Sequence, residues 1–133
     1  MRIVVDTNIV FSAILNTNSK IARIILQPKT KFNFYSTKQL LHEIDEHKSK
    51  LKKISSYTET EFQIVKSILV NRIKFINVEF IPKITFQNTL HLISDIDIDD
   101  TEFVALTEHI KGLLWTGDKE LLFGLKKKSG KKP

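Results

Sequence analysis

Cysteine is absent from the 133-residue chain, which excludes disulfide frameworks and thiolate zinc sites and makes a reducing cytoplasm the expected compartment. Glycine and proline are few, four and three, and they gather into no linker, so nothing divides the chain. No apolar run approaches the ~20 residues that a bilayer span requires, which argues against membrane insertion. The N-terminal stretch MRIVVDTNIV carries Asp6 in its middle, which spoils it as a secretion signal. What remains is ordinary for a folded chain: 41% hydrophobic and 27% charged residues. A mass of 15.4 kDa fits one domain, which at this size buries roughly two-thirds of the surface its unfolded chain exposes.

The formal net charge of +6 is unevenly distributed. Lys126, Lys127, Lys128, Lys131 and Lys132 crowd the last eight residues, and without them 16 basic side chains face 15 acidic ones. We therefore read residues 1–125 as a nearly neutral folded domain and residues 126–133 as a solvated, disordered lysine tail. Such a tail attracts phosphates without reading sequence. Lys48, Lys50, Lys52 and Lys53 form a second cluster that reads as a solvated helix end.

Strand and helix signals alternate along the chain. Arg2–Val5 is a short β-branched run expected to form a buried strand, followed by helical spacing over Ile9–Leu15 and Ile21–Leu26. Phe32–Tyr35 is a second strand. Ser36 or Thr37 then opens a helix with Leu40, Leu41, Ile44, Leu51 and Ile54 on its apolar face. Thr58–Glu61 fits a capping box, backed by Phe62, Val65, Ile68, Leu69 and Ile73. Phe75–Phe80 is the expected third strand, Ile84–Ile93 a weaker helix, and Asp100 the start of another that Gly112 closes. Leu113–Thr116 is a fourth strand and Lys119–Leu125 a last helix. Strands alternating with helices predict a three-layer α/β/α sandwich around a central parallel sheet of four to five strands.

Open parallel sheets place ligand sites beyond the carboxyl ends of their strands, where strand order reverses. Asp6 directly follows the first strand, Asp118 stands two residues past the fourth, and Asp100 opens a helix at the same edge. Of Glu43, Asp45 and Glu46, only Glu43 borders the packed face, roughly 80° from its centre at ~100° per residue; the other two look to solvent. Each acid has an ordinary explanation: Asp100 as an N-cap, Asp118 as a turn residue, Glu43 as a surface acid, and the run Asp95, Asp97, Asp99, Asp100 as a solvated loop. Asp6 is the hardest to dismiss, because a carboxylate closing a buried strand needs partners.

Four acids that converge are another matter. Two carboxylates ~5 Å apart at an effective dielectric of about 20 repel by roughly 3 kcal/mol, so a cluster of four needs protons or a cation. With no cysteine and with His42, His47, His91 and His109 scattered, oxygen ligands favour Mg²⁺ or Mn²⁺ over zinc.

The segments VDTNIVFSAIL, YSTKQLLHEI, DIDIDDTEFVAL and LLWTGDKELL resemble, in order and spacing, the four acidic motifs of PIN domains. The resemblance runs to about Leu125. It implies a metal-dependent endoribonuclease, many such proteins being VapC-type toxins of toxin–antitoxin pairs. Position by position, it places the catalytic acids at Asp6, Glu43, Asp100 and Asp118, with Asp97 matching a further acid of the third motif. Thr7 and Asn8 match the polar pair after the first acid, and Thr116 the hydroxyl residue before the last. It further implies an antitoxin partner and a homodimer or higher homo-oligomer. The departure from the family lies after the last helix, where a fifth strand is usual and this chain has its lysine tail.

Together these readings predict that Asp6, Glu43, Asp97, Asp100 and Asp118 hold one or two Mg²⁺ or Mn²⁺ ions, with Thr7, Asn8 and Thr116 orienting them from behind. Basic side chains at the rim would hold the RNA backbone, and unpaired bases would stack on exposed aromatics, Trp115 being expected to serve packing instead. Two other classes fit less well. A phospho-acceptor receiver would need a lysine where Thr116-Gly117-Asp118 has an acid. A catalytically silent RNA- or protein-binding relative would not need all four acids.

Overall fold

A computed structural model describes residues 1–28, 31–93 and 101–116. Four parallel strands lie side by side in them: β1 (Arg2–Val5), β2 (Asn33–Thr37), β3 (Ile73–Ile76) and β4 (Leu113–Trp115), in the order β3-β2-β1-β4. Helices α1 (Thr7–Leu15) and α2 (Lys20–Leu26) join β1 to β2. Helices α3 (Lys38–Glu46), α4 (Lys48–Ser55) and α5 (Glu59–Val70) join β2 to β3, and α6 (Lys83–Ile93) and α7 (Thr101–Ile110) lie between β3 and β4.

The first two crossovers step the same way along the sheet and the third steps back. Right-handed connections must then put α1–α5 over one face and α6–α7 over the other. The packing agrees: α1 touches α2, α3, α4 and α5, whereas α7 packs on α6 and against β1, β2 and β4. This is the predicted three-layer α/β/α sandwich. Val4 and Val5 are fully buried because β1 has a strand on each side and helices above and below. Ile9, Val10, Ala13 and Ile14 form the inward stripe of α1, and Phe62 and Leu69 that of α5. No single helix among the described residues is long and apolar enough to cross a membrane.

Several elements differ from the sequence expectation. The predicted strand Phe32–Tyr35 forms later, at Asn33–Thr37. The single helix expected through Ile54 breaks at His47, so Leu51 is buried on α4 while Ile54 faces solvent. Ile68, assigned to the apolar stripe of α5, is exposed, and Ile73 belongs to β3. The strand predicted over Phe75–Phe80 ends at Ile76; Asn77 then caps a 3₁₀ turn over Val78–Phe80, accepting from Glu79 N at 3.0 Å. Lys111, not Gly112, takes the left-handed conformation after α7, with φ of 54°. Gly112 serves a close approach instead: a Cβ there would lie 2.7 Å from the Arg2 carbonyl oxygen. The predicted helix Lys119–Leu125 and the lysine tail lie outside the described residues.

Candidate active site at the sheet switch point

The chain leaves β1 toward β2 and β3 and returns on the other side as β4, so strand order reverses at the carboxyl end of β1. Asp6 stands there. Its backbone N–H reaches the Trp115 carbonyl at 3.3 Å, which extends the β1–β4 pairing by one bond. Its side chain, only 4% exposed, caps α1: Oδ1 accepts from Ile9 N at 3.0 Å. Oδ2 accepts from the Thr116 hydroxyl, 110 positions along the chain. A carboxylate offers about four acceptor positions, and these two bonds fix its orientation. The positive end of the α1 dipole further favours its charged form.

Thr7 and Asn8 occupy the first turn of α1. The Thr7 hydroxyl is buried and has no hydrogen-bond partner among the described residues, and the same holds for that of Thr37, the last residue of β2 and the N-cap of α3. Ser36 is also fully buried, and its hydroxyl donates to the Val5 carbonyl at 3.0 Å, tying β2 to β1 one residue before Asp6. Orphaned hydroxyls are rare in folded interiors and point to a missing oxygen partner such as water or a hydrated ion. An oxygen-rich edge of this kind fits a hard dication such as Mg²⁺ or Mn²⁺.

Glu43 sits on α3, half-buried, where its Oε1 accepts from Gln39 Nε2 at 2.7 Å. It lines a cavity of about 330 Å³ with Gln39, His42 and Glu46. The two rejected acids behave as the helical projection requires: Asp45 is exposed and paired with Lys66 at 3.0 Å, and Glu46 is exposed. Asp97, Asp100 and Asp118 lie outside the described residues. Among the described residues no three acids or histidines gather as a metal-binding group. The structure thus joins Asp6 to Thr116 directly, with Thr7 and Asn8 beside them, and places Glu43 on the helix that follows the neighbouring strand.

Sequence reading passed over Ser36, Thr37 and Gln39. A polar pair closing an apolar strand was the signal for the first two, and the four-residue spacing to Glu43 the signal for the third. Trp115, expected as packing, is partly buried against the core on β4, the outer strand of the described sheet, with its ring 6.2 Å from that of Phe34.

A doubly wound parallel sheet with a buried acid at its switch point defines a class of α/β protein whose chemistry sits on that edge. Residues 4–133 match the family model of the PIN domain, and the chain belongs to that family. PIN domains are generally nucleases and generally use divalent metal ions. No curated protein sequence matches the chain at a significant level.

Proposed function

We propose that this protein is a metal-dependent endoribonuclease that hydrolyses RNA phosphodiester bonds, acting in the cytoplasm as the toxin of a VapBC-type toxin–antitoxin pair. The observation that carries the reading is Asp6, buried at the switch point and held at both oxygens by groups from opposite ends of the chain. Asp6 and Glu43, together with Asp97, Asp100 and Asp118 from their matching motifs, would hold one or two Mg²⁺ or Mn²⁺ ions. Bound there, such an ion supplies an activated water nucleophile and neutralises charge developing on the phosphate.

The protein's own groups do the positioning. Thr116 and the Ile9 amide fix the Asp6 carboxylate, and Gln39 fixes that of Glu43. Thr7 holds a buried hydroxyl at the same edge, where it could bond a water. None of these steps needs a histidine as general base. A negatively charged edge of this kind suits capping by a basic side chain of an antitoxin, and association into a homodimer or higher homo-oligomer accompanies that role.

The test is cleavage of a mixed-sequence RNA with Mn²⁺ or Mg²⁺. Wild-type protein should cut it, EDTA should stop cleavage, and Asp6→Asn should lower the rate by about 10³-fold or more, the scale of losing a principal catalytic group. Cleavage that persists through both EDTA and Asp6→Asn would refute the assignment. Absence of cleavage with intact metal uptake would favour a silent RNA- or protein-binding role.

A further inference from the structure

A cavity of about 260 Å³ opens at the edge of the sheet opposite Asp6. Gln27 closes α2, Asn33 opens β2, Asn71 closes α5 and Arg72 leads into β3, so much of its lining comes from the amino ends of the strands. Asp6, Glu43 and Thr116 contribute nothing to it.

The charge of the lining is one-sided. Arg72 and Lys74 both line the cavity, no acid among the described residues does, and neither cation is ion-paired among them. Both α2 and α5 end here, and the negative ends of their dipoles attract cations. That accounts for the bond Arg72 donates to the Gln27 carbonyl, at 3.3 Å. A guanidinium carries five N–H donors, however, and this bond occupies one. Lys74 has a different support: its Nζ lies 5.9 Å from the centroid of the Tyr35 ring, within cation–π range.

The rest of the wall is aromatic. Phe32 and Tyr35 are half-buried and Phe34 is buried, and all three line the same space. We propose that this cavity binds a small aromatic anion, a single ring carrying one carboxylate or phosphate group, at a site separate from the acidic edge. A bare inorganic anion would leave the aromatic wall uncovered, and an uncharged ring would leave both cations unanswered. Aromatic rings gain from edge or offset contact with one another, and carboxylates and phosphates are the anions a guanidinium binds best. The volume falls just under the ~300–1,000 Å³ of drug-sized pockets, which sets the ligand's size.

The test is an NMR titration of the isotope-labelled full chain in EDTA, so that no metal at Asp6 can hold a probe. The probes are benzoate, phenyl phosphate, inorganic phosphate and benzyl alcohol. Benzoate or phenyl phosphate should saturate shifts of the Asn33, Arg72 and Lys74 amides and leave that of Ile9 unmoved; the tighter of the two identifies the anionic group. Inorganic phosphate and benzyl alcohol should each bind at least about tenfold more weakly. Arg72→Met and Lys74→Met should each weaken the aromatic anion about tenfold, the scale of one charge-assisted hydrogen bond, while Lys74→Arg retains it. Lys74→Met breaks no hydrogen bond within the protein, so it decides the matter even if Arg72→Met, which also loses Gln27, melts earlier. No saturation by either aromatic anion, shifts confined to other residues, equal affinity for inorganic phosphate or benzyl alcohol, or unchanged affinity in Lys74→Met would each overturn the site.

Discussion

Burying a carboxylate costs several kcal/mol unless bonds or charges compensate it, and Asp6 collects compensation both from α1 and from beyond β4. Ile9 N comes from its own helix, the Thr116 hydroxyl from beyond β4, and the α1 dipole from the whole first turn. Thr116 reaches the candidate chemistry through Asp6. Thr116→Val keeps the volume and removes the donor, so RNA cleavage should fall by about 10–100-fold, the usual scale for a group that orients a metal ligand. The thermal midpoint should move little; a variant cleaving at the wild-type rate would show that Asp6 needs no such support. Asp6 itself was legible in the sequence because a charge ends a β-branched run. Its bond to Thr116 was not, because the two residues lie 110 positions apart and the chain between them has to fold first.

At the scale of elements, the contact between β1 and the loop before β4 depends on a missing side chain. Gly112 passes so close to Arg2 that a methyl group would meet backbone, which cannot swing away as a flexible side chain could. Gly112→Ala should destabilise the fold by about 1–3 kcal/mol, measured by urea unfolding, the cost of forcing an atom into filled space. The sequence offered Gly112 as a helix terminator, and the structure gives that conformation to Lys111. The reason is tertiary, so no local pattern could reveal it.

The join between α4 and α5 is electrostatic: Glu59 is ion-paired with Lys48 and lies 3.5 Å from Lys52. The Lys48 hydrogen bond is the first cause holding the Glu59 carboxyl below its ordinary value, with the charges of Lys48 and Lys52 adding to it. A carboxyl depressed in the folded state adds stability above its unfolded value and loses it as pH falls through the folded one. Wild-type protein should therefore exceed Glu59→Gln slightly in stability near neutrality, and the two should converge in acid. Added salt should narrow the gap at neutral pH, since Glu59 is exposed and its lysine partners are partly so. The capping box at the head of α5 was readable from Thr58 and Glu61 alone, being a local device. The break at His47 was not. Neither proline nor glycine marks it; the ring of the residue there packs at a tilt against that of Phe11, centroids 5.4 Å apart, and meets the Glu43 carbonyl through Nδ1, and Phe11 belongs to α1.

For the molecule as a whole, alternation of strand and helix was enough to foresee three layers, since a parallel strand must be reached by a crossover and each crossover brings a helix. Strand order was not foreseen, although it decides where the candidate site lies: β4 returns beside β1, so strand order reverses at the carboxyl end of β1. Amphipathic position alone separated Glu43 from Asp45 and Glu46, because burial follows helical phase. Where the chain was misread, as at Ile54, Ile68 and Val78–Phe80, apolar residues face solvent or close a turn, and composition cannot distinguish these from core.

The most direct measurement is calorimetric titration of Mn²⁺ into the wild-type chain and into Asp6→Asn. Wild-type protein should take up one or two ions, and Asp6→Asn should bind them at least about tenfold more weakly. Identical titration curves for the two proteins, or no uptake by either, would contradict a divalent-cation site built around Asp6.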